Sequence, residues 1–365
     1  MKNTFGESLS VTLFGESHGE YIGAVLDGVA AGIKLDYEYI SKRLSLRRPS
    51  GKISTARVET DEYKIVSGVF EGYTTGTPIC ILIPNTNKKS SDYESLRATP
   101  RPSHADYTAE IKYHGYQDPR GGGHFSGRIT AALVAAGAII ATALKRKGIE
   151  IGTHISSLHG ICDRKMENLS ADIDALNESE FPVLSEESAE KMRAEAEAAA
   201  AMGDSVGGVL ETAVVGVPAG IGEPWFDTLE GVLSHALFSV PAVKGVEFGA
   251  GFAIADMLGS EANDPYRIEG GAIVTETNNS GGIAGGISNG MPIIFRCAVK
   301  PTPSIFKEQK TVNLKTLENT TLSLSGRHDP AIVHRARAVV DAVTAIVIAD
   351  MLCQRFGTDY LVDCK

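Results

Sequence analysis

A strand-like run, the sextet GVxAGI and a helical run follow one another twice along the chain, with GVAAGI at 28–33 and GVPAGI at 216–221. SLSVTLF at 8–14 alternates and is β-branched, so it reads as a strand; the loop GESHG at 15–19 leads to a partner strand, IGAVLDGV. Behind the first sextet comes a helical stretch from Tyr37 to Leu44. GVLETAVV at 208–215 precedes the second sextet, and a helical stretch near 227–238 follows it. Such a unit used twice raises the expectation of an internal duplication in a chain of mixed strands and helices.

Three further helices are legible. Ser126 to Lys147 ends in basic residues, which suit the macrodipole, and Gly148 stops it. Ser185 to Met202 has a serine cap and Gly203 as its stop. Asp329 as cap and Pro330 at the first helical position open a long helix ending near Phe356. The longest apolar run, Ala131 to Leu144, is too short to cross a bilayer, which takes roughly 20 residues. Residues 84–103 read as a long polar loop, and Asn85 to Thr99 is expected to be mobile without ligand and to order over the site. No shift in composition marks a boundary, so one domain is expected over 1–365.

Acidic residues outnumber basic ones, 45 to 35, for a net charge of −10. That field repels nucleic acid and anionic membrane, so neither is expected as a partner. Five widely spaced cysteines without a CxxC read as reduced thiols, and the N-terminus carries no apolar signal core. The expectation is a soluble cytoplasmic protein. No histidine pair has metal-ligand spacing, so no metal is expected.

Against this acidic background, basic and imidazole groups cluster in short motifs. His18 in GESHG suits proton transfer, or belongs to an ordinary polar turn. In RPSHAD, Ser103 and Asp106 fit a capping box for the helix ADYTAEIKY; capping leaves Arg101 and His104 unexplained. RGGGHFSGR at 120–128 could cradle a phosphate on backbone N–H groups or be a glycine-rich turn; it is neither a P-loop nor a dinucleotide fingerprint. SGRHDP at 325–330 sets Arg327 beside a helix start, where capping alone would account for Asp329. GGIAGG at 281–286 and KPTPS at 300–304 suit close backbone contact with a flat ring or a phosphate. Arg47, Arg48 and Lys52 in LRRPSGK are a solvated turn or a site for a small phosphate- or carboxylate-bearing substrate.

GESHG, RRPSG, SGVFEGYTTGTP, RPSHADYT, GGGHFSGR, PAVKGVEFG, GGIAGGISNG, KPTPS and SGRHDP, in this order over essentially the whole chain, resemble the chorismate synthase family. The resemblance implies an α/β fold of the α+β type, with a helical layer sandwiched between two antiparallel sheets, and a homotetramer. It implies a lyase of the shikimate pathway of aromatic amino acid biosynthesis. Phosphate is lost from 5-enolpyruvylshikimate 3-phosphate by 1,4-anti-elimination, with reduced FMN lending an electron transiently and its N5 removing the C6 hydrogen. By the same resemblance His18 protonates the leaving phosphate, His104 protonates the reduced flavin, and Asp329 assists near N5. Arg47, Arg48, Arg101, Arg128 and Arg327 become the substrate-anion set. FMN falls to His124, Phe125, Ser126, Ala242, Gly285, Lys300, Pro301, Thr302, Pro303, Ser304 and Arg327, and NADPH, if a reductase activity is present, to Arg47 and Lys52. No further domain is seen, so an external flavin reductase is expected to supply reduced FMN. His124 and Phe125 stand where many members have arginine and serine, Pro241 where asparagine is common, and Ser103 where glycine is.

Overall fold

The computed structural model describes residues 2–362 except 50, 52, 55–59, 87–97 and 325–328. Most of the expected mobile segment, together with Lys52 and Arg327, therefore lies outside the described residues. The first sheet takes β1 (Thr4–Phe5), β2 (Ser10–Gly15), β3 (Tyr21–Asp27), β4 (Lys64–Ser67) and, beyond a small ribbon β5–β6 (Val69–Phe70 with Tyr73–Thr74), β7 (Ile79–Pro84). Its order is β1-β2-β3-β7-β4 and every pairing is antiparallel. In β7 the period-two pattern buries Ile79, Ile81 and Ile83 on one face.

The second sheet takes β8 (Glu150–Leu158), β9 (Ile161–Cys162), β10 (Gly208–Val215), β11 (Val243–Phe248) and, after the ribbons β12–β13 (Tyr266–Glu269 with Ala272–Thr275) and β14–β15 (Ile283–Ala284 with Ile287–Ser288), β16 (Ile293–Val299). Its order, β11-β16-β10-β8-β9, is again antiparallel throughout. A last ribbon pairs β17 (Gln309–Asn313) with β18 (Glu318–Leu322). The expected early strands are β2 and β3, and GVLETAVV is β10. Each sextet thus leaves the middle strand of a five-stranded sheet, β3 or β10.

The helices are α1 (Tyr37–Arg47), α2 (Asp106–Lys112), α3 (Thr130–Arg146), α4 (Leu169–Glu178), α5 (Glu186–Ala201), α6 (Leu229–Leu237), the short α7 (Gly259–Ala262) and α8 (Val333–Phe356). Helix α3 packs on β2, β3 and β7, α8 packs on β8 and β10, and the two pack on each other. They come close at Gly137: a Cβ there would lie 2.4 Å from that of Ala342. As expected, Ser185 caps α5 by accepting from the Ser188 N–H.

Two expected caps are overturned. Ala105, not Ser103, precedes α2, and no side chain caps it; Asp106 turns back to Arg101 and His104 instead. Likewise α8 begins at Val333 without a side-chain cap, so Asp329 and Pro330 lie ahead of it, and Asp329 accepts from Arg335. In both cases a competing arginine takes the carboxylate. The apolar run also extends further than expected: Gly127–Arg146 is long and apolar enough to cross a membrane, yet 78% of its apolar window is buried inside the protein.

Charge is buried beside the helices. Arg43 on α1 pairs with Asp341 on α8, which accepts from Thr153 on β8 at 2.5 Å. Arg337, fully buried, donates to the carbonyls of Leu176 and Ser179. About one helical turn away, burial first and the Arg335 and Arg337 charges next push His334 down to about 3.

Gly137→Ala sets helix propensity against packing. Propensity alone favours alanine by about 1 kcal/mol; overpacking against Ala342 costs about 1–3 kcal/mol. The variant should lose stability in urea or thermal unfolding, and a gain would refute the close crossing. His334 makes a second prediction. Its folded-state affinity for a proton is depressed, so the unfolded chain alone takes the proton as pH falls through about 6.5, and stability drops by up to about 1.4 kcal/mol per pH unit until about 3. His154, held between Asp163 and Glu211, is shifted the other way despite its burial. The difference between wild type and His334→Gln across pH 4–7 isolates the His334 contribution, and parallel curves would disprove it.

Candidate active site

A cavity of about 1200 Å³ opens where the N-terminal ends of α3 and α8 meet β1, β2 and the segment after β16. One face of α8 lines it with Arg335, Ala336, Val339, Val343 and Ile346, the spacing of a helical stripe, and Ile332 joins them from just ahead of the helix. Of the residues expected at a site, His18, Arg47, Arg101, His104, His124, Phe125, Ser126, Arg128, Ala242, Lys300, Thr302, Pro303, Ser304 and Asp329 all line it. Arg48, Gly285 and Pro301 do not. Arg48 ends α1, with its N–H on the Ser45 carbonyl, Gly285 sits in the β14–β15 turn at φ +64°, and Pro301 is exposed.

The cavity is built on three consecutive glycines. Gly121, Gly122 and Gly123 all have positive φ, which side chains rarely adopt. A Cβ on Gly121 would lie 2.3 Å from Cε1 of His18, and one on Gly122 would lie 3.3 Å from Cε1 of His104. Adjacent residues of one backbone turn therefore seat the two imidazoles. RGGGHFSGR is thus a mould for two rings before it is anything else, and the Ser17 N–H fastens to the Gly123 carbonyl to hold GESHG against it. Ser126, next in line, caps the turn that leads into α3 by accepting from the Arg128 N–H.

His18 is 6% exposed. The Ser17 hydroxyl donates to the Arg120 carbonyl and lies 3.2 Å from His18 Nδ1. A hydroxyl has one proton, so with that proton on the Arg120 carbonyl its oxygen accepts from Nδ1–H. His104 has a stronger partner. Asp106 Oδ1 stands 2.6 Å from its Nδ1, and Arg101 grips the same carboxylate through Nε and Nη2, both at 2.8 Å, and its own N–H at 3.0 Å. Burial works against the charge on Asp106, but the bonds from Arg101 and His104 outweigh it and hold the carboxyl far below its usual range.

Two of the expected anion-binding arginines are also committed to structure. Arg101 is spent largely on Asp106. Arg128 Nε donates to Asn85 at 3.0 Å, Nη1 pairs with Asp61, and Nη2 donates to the Pro84 carbonyl at 3.2 Å. Arg47 Nε is 3.9 Å from the same Asp61. Asp329 accepts from Arg335 Nη1 at 2.7 Å, and Arg335 Nε donates to the Arg47 carbonyl at 2.8 Å, so the start of α8 is tied to the end of α1.

Next to His104, Ser103 takes Lys300 Nζ on both its carbonyl and its hydroxyl. Ser103 holds φ +60°, so this serine occupies a backbone position that glycine takes without strain. Burial, then the neighbouring Lys244 charge, lowers the affinity of Lys300 for its proton. Thr302 Oγ1 is buried without a hydrogen-bond partner. His124 Nδ1 is 2.7 Å from the Gly15 carbonyl, and Phe125 meets Tyr113 edge-on. Among the described residues no His, Cys, Asp or Glu cluster could hold a metal.

Sequence reading missed Asp61, Asp106, Lys244 and Arg335. Lys244 lies inside the quoted PAVKGVEFG, and Asp106 inside RPSHADYT, where capping already accounted for it. Asp61 and Arg335 carry no local signal: one comes in at the far end of a loop, the other on a buried helix.

The family model for chorismate synthase matches residues 9–353. Chorismate synthase from Pyrococcus abyssi is 49% identical, covering 96% of this chain and 97% of the relative. That from Methanosarcina barkeri is 48% identical, covering 95% of each. A crystal structure of chorismate synthase superposes with a TM-score of 0.75 at 30% identity, covering 97% of this chain and 94% of that one. With family, relatives, fold and cavity in agreement, the chain belongs to the chorismate synthase family, and its reaction is the loss of phosphate from 5-enolpyruvylshikimate 3-phosphate to give chorismate.

Proposed function

We propose that the 1200 Å³ cavity holds reduced FMN and the substrate together, with His18 and His104 as its proton-handling groups. The observation that carries this is the seating of both imidazoles on adjacent glycines of one turn. Pockets for single drug-sized ligands run to about 1000 Å³, so the volume allows two molecules. The residues present fit the flavin. Lys300 with Lys244 offers adjacent positive charge, and the Thr302 hydroxyl is a buried polar atom still in need of a partner. When bound, reduced FMN would lend an electron to the substrate as phosphate leaves and recover it with the C6 hydrogen.

The rest falls to the chain. His18, its Nδ1 proton given to Ser17, exchanges protons at Nε2 and protonates the departing phosphate. Expelling a phosphate is easier once it is protonated or ion-paired. His104 would hold the proton that neutralises the reduced flavin, and Asp329, oriented by Arg335, would assist proton removal there. Arg47, with Arg335 beside it, meets substrate anions from the cavity wall, and Arg101 and Arg128 act chiefly by holding the site's shape. His124 and Phe125 keep a place in the cavity wall, so contact with the flavin passes to an imidazole and a phenyl ring where arginine and serine are common. Arg48, Gly285 and Pro301 contribute from outside the wall, and Lys52 and Arg327 belong to the same reading from outside the described residues.

The same reading makes the chain a single domain whose helical layer lies between two related sheets; the matching exit of each GVxAGI from a central strand supports a duplication. It keeps the enzyme cytoplasmic and fed by an external flavin reductase, with NADPH meeting Arg47 only where reductase activity is present. It also makes the enzyme a homotetramer. Trp225, Phe226, Phe252, Leu258, Ile268 and Ile273 stand largely exposed, an apolar surface that copies of the chain would cover.

Anaerobic mixing with substrate and dithionite-reduced FMN should release phosphate and chorismate in step, and oxidised FMN should give neither. His18→Ala and His104→Ala should each lower the rate by on the order of 10²–10⁴ while FMN still binds; near-normal turnover in either removes that residue from the mechanism. Light scattering should report four chains, and paired Ile268→Lys and Ile273→Lys changes should reduce that number; a monomeric wild type would end the assembly reading.

A further inference from the structure

We infer that Asp106 is the positioning residue for His104: it fixes the proton on Nδ1 and so commits Nε2 as the only nitrogen through which His104 exchanges protons. This rests on the reading of His104 as a proton-handling group.

The argument is one of donor accounting. Asp106 Oδ1 is within 2.6 Å of His104 Nδ1 and within 2.8 Å of Arg101 Nη2, while Oδ2 takes Arg101 Nε at 2.8 Å and the Arg101 N–H at 3.0 Å. Arginine only donates, so a carboxylate gripped this way stays ionised and can only accept. At 2.6 Å the imidazole nitrogen facing it must therefore carry hydrogen. Arg101 Nη2 also lies 3.1 Å from Nδ1. With Nδ1 protonated, that pair is two donors sharing Oδ1, not a hydrogen bond of its own. The other charges near the ring leave Nδ1 alone. Lys300 is occupied by Ser103, and Gly122 presents only backbone to the Cε1 and Nε2 edge.

Because Arg101 already neutralises Asp106, the carboxylate acts more by orientation than by added negative charge. That separates the role from simple electrostatic support. An asparagine in its place has one oxygen, which keeps two Arg101 donors, Nε and the backbone N–H, at the Oδ2 position but only Nη2 at the Oδ1 position. With oxygen kept by Arg101, its NH₂ would face Nδ1, which must then accept, and the proton would move to Nε2. The ring would stay in place with its proton on the wrong nitrogen. Tautomer errors of this kind cost serine-protease triads about 10⁴ in kcat.

Solid-state ¹⁵N spectra of histidine-labelled protein test this directly, with the His104 signals assigned by their loss in His104→Asn. The wild type should show His104 with Nδ1 protonated and Nε2 bare when neutral. Protonated Nε2 with bare Nδ1 would overturn the inference whatever the kinetics. Asp106→Asn should reverse the two signals and lower kcat by on the order of 10²–10⁴, with the substrate KM within a few-fold of wild type. An Asp106→Asn enzyme that folds and keeps both the tautomer and kcat would also overturn it. If that variant fails to fold, the wild-type spectrum still decides. A wild-type Nδ1–H signal alongside a fully active His104→Ala enzyme would instead refute the catalytic reading of His104 and leave the Asp106 contact standing.

Discussion

The contact between Gly137 of α3 and Ala342 of α8 sets the spacing of everything that matters in this molecule. Helix α3 packs mainly on the first sheet and α8 mainly on the second, so their crossing ties the two halves of the chain together. It also fixes where their N-terminal ends emerge. Ser126 and Arg128 lead into one helix, Asp329 and Arg335 stand at the start of the other, and all four line the same cavity. A methyl group at the crossing would be felt at the site through two rigid rods.

Around that frame the chain spends much of its charge on itself. Arg128 is held by Asp61, Asn85 and a carbonyl, Arg101 by Asp106, Arg43 by Asp341, and Arg337 by two carbonyls. Burying a guanidinium is costly unless its donors are matched. Here the matching anchors loops distant in sequence, and the cations left facing the cavity are fewer than a count of arginines suggests.

Much of this was legible in the sequence because the signals were local. Alternation located β2, β3 and β10, glycine and serine bounded α5, and short motifs named about half of the cavity wall. What stayed hidden was partner choice. Ser103 and Asp106 have the spacing of a capping box, and Asp329-Pro330 reads as a helix start, yet arginines elsewhere compete for both carboxylates. From the sequence, the glycines of RGGGHFSGR could cradle a phosphate on backbone N–H groups or form a glycine-rich turn. Only the tertiary contact with His18 and His104 shows what the missing side chains make room for.

That shared glycine turn has an evolutionary edge. The two imidazoles come from loops far apart in the chain, but each is shaped against the same few backbone atoms. A substitution that re-aims one ring disturbs the seat of the other, so the two cannot be retuned separately by small steps. A lineage exploring new substrates from this scaffold has freer ground along Lys244 and Thr302 than at the turn that seats both rings.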